Sequence, residues 1–327
     1  MTLAILATLA GLAALAWSAD RFVSGASSVA AHLGMAPLLI GMVVVGFGTS
    51  APELVVSAFA AAGGDPEIAL GNALGSNIAN IGLILGITAI IVPVLVHRGV
   101  LRRELPLLLA ATLLLALVLL DGSISRIDAG ILVMALGAQL VWAVRTGTRR
   151  RPPGEPQDEL AREIEAREAA AGMSYRAAWA WTIGGIVLLV AASRVLVWGA
   201  VGIAERLGWS DLVIGLTVVA IGTSAPELAA AIVSARRRET DLVLGNVIGS
   251  NLFNTLAVVG LAGLIAPSAV EPQALTRDLP VLLAFTLALL IMGFRPRADG
   301  RINRLEGAAL LAAWIAYTAV LIGTAGG

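Results

Sequence analysis

Two glutamates inside long apolar segments are the side chains best placed to do chemistry. Glu53 and Glu227 lie well within such segments, whereas the other acidic residues fall in connections or at segment ends. A carboxylate at that depth in a membrane is costly unless it is paired, and it marks a functional site. All 22 basic residues are arginines, and we assign them to connections, where none can pair with either glutamate. A proton or a bound cation is therefore expected to neutralise both.

Polar groups accompany each glutamate at helical spacing. Thr49 precedes Glu53 by four residues and shares its helix face, and Ser50 lies beside them. Pro52 has no N–H, so it releases the carbonyl of Gly48 from its helical hydrogen bond. The next apolar segments add two hydroxyl and amide pairs, each four residues apart: Ser76 with Asn80, and Ser250 with Asn254. Hard cations such as Ca²⁺ and Na⁺ take these oxygen ligands, whereas soft transition metals prefer imidazole and sulfur.

The composition requires a membrane protein. Of 327 residues, 58% are hydrophobic and 13% are charged, whereas soluble domains carry about 25% charged residues. The mean hydropathy is +0.90, which excludes a water-soluble fold. The formal net charge is zero, so no basic face is available for nucleic acid. The absence of cysteine excludes disulfides, thiolate metal sites and cysteine nucleophiles.

Ten apolar segments are candidates to span the bilayer. They cover roughly 3–19, 36–62, 67–92, 105–120, 127–145, 178–199, 211–235, 241–266, 279–294 and 305–324. The first resembles a signal peptide, but no positive residue precedes it, which favours an uncleaved span. Connections after the odd-numbered segments hold 18 of the 22 arginines. The positive-inside rule then puts those connections in the cytoplasm and both termini outside.

The sequence repeats itself at one fixed offset, the separation between Glu53 and Glu227. Gly48–Leu54 recurs as Gly222–Leu228, and Gly71–Asn80 recurs as Gly245–Asn254. Each half holds five segments, and because five is odd the second half must enter the membrane in the opposite direction. We therefore predict an all-α integral membrane protein of ten transmembrane helices, built as two inverted five-helix repeats. Their predicted bounds are 1–147 for the first repeat, 148–176 for a cytoplasmic linker, and 177–327 for the second repeat. Inverted repeats are typical of secondary transporters, with the substrate site near the bilayer midplane.

The paired Gly-Thr-Ser-x-Pro-Glu and Gly-Asn-x-x-Gly-Ser-Asn-x-x-Asn motifs resemble the two alpha repeats of the cation/calcium antiporter superfamily. The similarity covers essentially the whole chain and is greatest to the prokaryotic sodium/calcium exchanger branch. It implies four central ion sites and long first and sixth helices that slide against the other eight. The ligands that the resemblance implies are Thr49, Ser50, Glu53, Ser76, Asn80, Thr223, Ser224, Glu227, Ser250 and Asn254. Four further motif amides could equally hydrogen-bond between helices: Asn72, Asn77, Asn246 and Asn251.

The resemblance implies an inner-membrane antiporter that exchanges Na⁺ for Ca²⁺ by alternating access. We expect no enzymatic activity, no resident cofactor and no protein partner, with Ca²⁺ and Na⁺ as cargo. Potassium-dependent relatives have Asp where this chain has Asn254, so exchange is expected not to require K⁺. A proton-coupled Ca²⁺ exchanger and a passive cation channel remain alternatives. An intramembrane hydrolase using Ser50 or Ser224 is disfavoured, since no His or Lys lies in any predicted span to activate it.

Overall fold

The computed structural model is helical apart from two short strand pairs, and it describes residues 1–33, 37–147, 173–207, 222, 224–294 and 299–325. In the first half the elements are α1 (Thr2–Leu33), α2 (Pro37–Ile40), α3 (Gly46–Thr49), α4 (Ala51–Gly63), α5 (Pro66–Ala79), α6 (Gly86–Ile91), β1 (Val94–Val96), α7 (Leu105–Val118), β2 (Ser123–Ile124) and α8 (Arg126–Gly147). In the second half they are α9 (Tyr175–Arg206), α10 (Ala225–Arg236), α11 (Thr240–Phe253), α12 (Val259–Ile265), β3 (Ser268–Ala269), α13 (Leu279–Gly293), β4 (Gly300–Ile302) and α14 (Arg304–Ala325).

Within the described ranges, five π-helical turns interrupt these helices. They are π1 (Gly41–Val45), π2 (Asn80–Leu85), π3 (Val100–Glu104), π4 (Asn254–Val258) and π5 (Ala274–Asp278). The first residues of π2 and π4 are repeat counterparts, as are those of π3 and π5, so these turns fall at equivalent points of the two halves. Single π turns of this kind recur at functional sites in other proteins.

Seven of the described helices are long and apolar enough to cross a membrane, or eight if one bent pair counts as a single span. The bent pair joins Leu38–Thr49 to Ala51–Gly63 at an angle of 42°. Two of the ten predicted spans are not among these eight. The helix α7 has 14 residues, and residues 211–221 and 223 of the predicted 211–235 span lie outside the described residues.

The two middle segments of the halves form the centre of the molecule. The candidate spans Pro66–Ile91 and Thr240–Ile265 are the most deeply buried of the described ones. In their most apolar 18-residue stretches, 72% and 83% of the residues are buried. Many large apolar side chains elsewhere are exposed, among them Phe59, Leu120 and Leu305. An apolar outer surface around a packed centre is what a bilayer requires of a helical protein.

Glycines bring α1 and α9 into close contact at pseudo-symmetric points. A Cβ on Gly11 would lie 2.6 Å from the backbone of Leu196, and one on Gly185 would lie 2.7 Å from Phe22 Cβ. The counterparts Gly25 and Gly199 are packed equally closely. A Cβ on Gly25 would collide with Thr182, and one on Gly199 would collide with Thr8. Because no side chain fits between them at these points, α1 and α9 pack as one unit.

Two strand pairs tie the connections together. The antiparallel pair β1–β4 has the register Val94↔Ile302, and β2–β3 has Ser123↔Ala269. Arg194 lies inside α9, although the sequence analysis assigned every arginine to a connection. Position 194 already falls near the end of the predicted segment 178–199, where a long arginine side chain can extend to the membrane surface, and α9 continues past it to Arg206.

Candidate functional site

A break in the second helical segment positions Glu53. The helix α3 ends at Thr49, α4 begins at Ala51, and Ser50 between them has φ −87° and ψ 3°. Pro52 lies in the first turn of α4, a position at which a helix tolerates a residue without an N–H. Glu53 consequently sits in that first turn, where the helix dipole favours a negative charge.

The second half builds the same break. Ser224 has φ −85° and ψ 6°, and α10 begins directly after it, with Glu227 in its first turn. Pro226 removes the usual donor to the carbonyl of Gly222, and the Ser193 hydroxyl of α9 donates to that carbonyl at 2.5 Å. The sequence patterns did not indicate Ser193, because the equivalent residue of the first half is Ala19.

The site lies where the two halves meet. The Ser50 hydroxyl donates to Glu227 Oε1 at 3.4 Å, which joins a first-half side chain to the second-half carboxyl group. Thr49 Oγ1 lies 3.2 Å from Asn246 Oδ1 and 3.0 Å from the Val45 carbonyl oxygen. The two motif segments therefore form one site rather than two separate ones.

Several oxygens in this region are buried with no hydrogen-bond donor. Glu53 and Glu227 are each 2% exposed. Within the described parts of the chain, Glu53 Oε2, Glu227 Oε2, Asn77 Oδ1 and Asn254 Oδ1 have no hydrogen-bond partner. Buried carboxylate and amide oxygens are costly unless a donor or a cation satisfies them. Carboxylate and amide oxygens of this kind are the ligands that hard cations take.

The motif amides link the central helices, as one of the two sequence interpretations proposed. Asn80 Nδ2 donates to Asn251 Oδ1 at 2.9 Å, and Asn77 Nδ2 donates to Thr255 Oγ1 at 2.8 Å. Asn251 Nδ2 in turn donates to the Asn77 carbonyl at 3.3 Å. Thr255 has an isoleucine as its repeat counterpart, so no symmetric pattern indicated it.

Two predicted ligands begin π turns. Asn80 and Asn254 are the first residues of π2 and π4. The Asn80 amide still donates to the Ser76 carbonyl, and the Asn254 amide donates to the Ser250 carbonyl, as in a regular α-helix. The four-residue spacing therefore holds within each pair, and the widened turn changes the side-chain register only after it.

Nine of the ten predicted ligand residues are buried in the structure: Thr49, Ser50, Glu53, Ser76, Asn80, Ser224, Glu227, Ser250 and Asn254. The tenth, Thr223, lies outside the described residues. No cluster of three or more His, Cys, Asp or Glu that could hold a metal occurs in the described ranges. The region thus offers two carboxylates together with hydroxyl and amide oxygens. That the nine side chains are ion ligands stays a prediction.

The amino-acid sequence matches a protein-family model over both halves. The model is described as sodium/calcium exchanger protein, and it matches residues 3–145 and 177–323. The chain belongs to the sodium/calcium exchanger family. Relatives in this family are membrane-embedded exchangers and antiporters. The chain is accordingly a multi-pass membrane protein with a transport role rather than an enzymatic one.

Named relatives and a solved structure are similar to this chain over most of their length. The inner membrane protein YrbG of Escherichia coli is 40% identical over 90% of both chains. The sodium/calcium exchanger MaX1 of Methanosarcina acetivorans is 30% identical over 98% of this chain and 99% of its own. A solved structure of the sodium-calcium exchanger NCX_Mj is 32% identical, with a TM-score of 0.83 over 97% of this chain and 98% of its own. The Ca²⁺/H⁺ antiporter ChaA of Bacillus subtilis is 28% identical over 85% of this chain and 82% of its own.

Proposed function

We propose that this protein exchanges Na⁺ for Ca²⁺ across the inner membrane by alternating access. The observation that carries the proposal is the meeting of Glu53 and Glu227, one from each half, around hydroxyl and amide oxygens in a buried region. The similarity to NCX_Mj and MaX1 supports the choice of ions.

The charge of the site explains why the protein would exchange ions instead of letting them pass freely. The two carboxylates together carry two negative charges, which one Ca²⁺ or two Na⁺ would neutralise. Because both ions need the same carboxylates, they compete for the site. An unloaded site would leave two charges buried, and these repel each other. Only the ion-loaded protein crosses the occluded state at low cost.

The proposed ligands are the ten side chains of the two motif pairs, including Thr223. The hydroxyl and amide ligands supply neutral oxygens, which suit Na⁺ as well as Ca²⁺. The ions are cargo, and we propose no resident cofactor and no protein partner. The Asn246 side chain supports the site without being one of the ten, since it donates to the Glu227 carbonyl at 3.3 Å.

The proposed topology is ten spans in two inverted repeats, over 1–147 and 177–327, with both termini outside and the 148–176 linker in the cytoplasm. In support, the turns after α4 and α10 recur at the repeat offset, and so do two pairs of π turns. The name of YrbG supports the inner membrane as the location.

Exchange is proposed not to require K⁺. Asn254 and its counterpart Asn80 are amides, so the site holds two carboxylates rather than three. Binding of K⁺ together with Ca²⁺ would leave a net positive charge in a medium of low dielectric constant, which is unfavourable. The test is sodium-driven Ca²⁺ flux in proteoliposomes with choline replacing K⁺ on both sides. Flux that vanishes without K⁺ and returns on its addition would contradict the proposal.

Proton coupling is the second candidate, and similarity to the Ca²⁺/H⁺ antiporter ChaA favours it. The same glutamates would then alternate between the carboxylate and the neutral acid. Proteoliposomes loaded with radioactive Ca²⁺ distinguish the two when either a Na⁺ gradient or a pH gradient is imposed alone. Flux driven only by the pH gradient would refute sodium coupling. Ca²⁺ current that needs no counter-ion would instead indicate a passive channel.

A further inference from the structure

Two polar contacts join α1 to the turn between α10 and α11. Arg237 forms an ion pair with the Asp20 carboxylate and also donates to the Asp20 carbonyl oxygen at 3.1 Å. Seven residues further along α1, the Ser27 hydroxyl donates to Glu239 Oε2 at 2.8 Å. These contacts fix α1 at one end of the second half.

The repeat offset assigns a counterpart to each member of the ion pair. Asp20 corresponds to Arg194 of α9, and Arg237 and Glu239 correspond to Gly63 and Asp65. The alignment is secure around Arg194, because Gly25-Ala26 matches Gly199-Ala200 at the same offset.

The turns that follow α4 and α10 have the same backbone geometry. Gly64 has φ +99° and its counterpart Arg238 has φ +63°. The Asp65 amide donates to the Ala60 carbonyl at 2.9 Å, and the Glu239 amide donates to the Ser234 carbonyl at 2.9 Å. Each turn could therefore receive a helix in the same way.

Only one of the two equivalent contacts is formed in this conformation. The helix α1 packs along α10, whereas α9 makes little contact with α4 among the described residues. Arg194 and Asp65 are both exposed, and neither has an ion-pair partner within the described ranges.

We propose that Arg194 and Asp65 form an ion pair in the opposite-facing state, replacing the Asp20–Arg237 pair of this state. The proposal rests on the alternating-access function proposed above. If the two halves exchange conformations when the site turns to the other side, the contact of α1 with one turn becomes a contact of α9 with the other. Close glycine packing of α1 against α9 makes the two helices move together, so forming one contact breaks the other.

The charges are complementary in both states, although their signs are exchanged. In this state the helix contributes the acid, Asp20, and the turn contributes the base, Arg237. In the other state the helix contributes Arg194. The turn contributes Asp65, which lies two residues after Gly63, the counterpart of Arg237. The side chains of Arg237 and Asp20 are 30% and 53% exposed, and exposed pairs of this kind shift an equilibrium by about two- to fivefold. An ion pair of that strength favours each state without preventing the protein from leaving it.

The absence of cysteine allows a direct proximity test. The pair Asp65→Cys with Arg194→Cys should be cross-linked by a short bismaleimide in membranes that contain both Na⁺ and Ca²⁺. The matched control is Arg194→Cys with Asp121→Cys, which we place on the same side of the membrane without an equivalent contact. In a variant that also carries Asp20→Cys and Arg237→Cys, a molecule linked at one pair should lack the link at the other. A yield no higher than the control, or both links in one molecule, would overturn the proposal.

A charge-exchange series tests the energetics. Arg194→Asp should lower the cross-linking yield of a reporter pair, Gly63→Cys with Ala191→Cys, by about two- to fivefold. Adding Asp65→Arg should restore that yield, whereas Asp121→Arg should not. Restoration by both second substitutions, or by neither, would refute a specific ion pair. Cross-linking does not depend on which ion is carried. Normal cross-linking without sodium-driven flux would therefore refute only the proposed function. Normal flux without cross-linking would refute only the Arg194–Asp65 ion pair.

Discussion

At the scale of single residues, the two glutamates have different partners in this conformation. Glu227 accepts a hydrogen bond from Ser50, a residue of the other half. The equivalent bond from Ser224 to Glu53 is absent from the described part of the structure. Because the two motifs are nearly identical in sequence, the difference arises from how the halves are packed. A protein that alternates between two states would exchange these partners.

Removing either carboxylate charge should abolish exchange. Glu53→Gln and Glu227→Gln keep the side-chain size and remove one of the two charges that Ca²⁺ needs. Loss of groups that merely support a metal ligand costs about 10–100-fold in affinity, so loss of a ligand should reduce Ca²⁺ flux by at least about 100-fold. Folding should survive, because neutral Gln is cheaper to bury than Glu. Glu271→Gln, on an exposed connection, is the control. Near-normal flux in a folded Glu53→Gln protein would refute the site.

Ser193 should contribute to stability through one carbonyl. Ser193→Ala removes the donor to the Gly222 oxygen and leaves that oxygen without its bond. An unsatisfied buried acceptor costs about 1–3 kcal/mol, which should appear as a lower unfolding temperature in detergent. The control is Ser18→Ala, since Ser18 is also buried and, among the described residues, its hydroxyl bonds within its own helix, to the Leu15 carbonyl. Equal stability of the two variants would show that the Ser193 bond is unimportant.

At the scale of helices, the sequence predicts the segments well and their irregularities poorly. Apolar length located eight of the ten predicted spans among the described residues, and Pro52 and Pro226 located the two breaks, because proline has a fixed local effect. The π turns at Asn80 and Asn254 left no such signal, since they depend on packing against neighbouring helices. The placement of Arg194 was wrong because one arginine near the end of an apolar segment does not end the helix, and α9 continues through it to Arg206.

Glycine spacing between α1 and α9 gives a test at this scale. A Cβ at Gly199 would lie 2.6 Å from the Thr8 backbone nitrogen, whereas a Cβ at Gly202 would lie 3.6 Å from Ala4 Cβ. Gly199→Ala should therefore separate the helices and destabilise the protein by about 1–3 kcal/mol. Gly202→Ala, one turn away on the same helix, should be tolerated. Thermal unfolding of the purified variants measures both, and equal loss in the two would contradict the close packing of α1 and α9.

At the scale of the whole molecule, the described halves are equivalent in sequence but different in conformation, as the proposed alternating-access function requires. One repeat offset relates both glutamates, both helix breaks and two pairs of π turns. Among the described elements, the contacts of α1 and α9 with their neighbours do not follow it. The offset could be read from the sequence, whereas the asymmetry could not, since it is a property of one state rather than of the chain.

The proposed opposite insertion of the two halves predicts the face of the membrane from which each exposed position can be labelled. Gly63 and Gly99 are exposed, lie at the two ends of the third predicted span, and have open space at the Cβ position. Their repeat counterparts are Arg237 and Gln273. Single cysteines at Gly63 and Gln273 should react with an impermeant maleimide only from outside, and those at Gly99 and Arg237 only from the cytoplasmic side. Equivalent positions of the two halves are thus expected on opposite faces, because five spans separate each pair. If Gly63→Cys and Arg237→Cys reacted from the same face, the halves would be parallel, and the exchange of contacts between α1 and α9 would lose its basis.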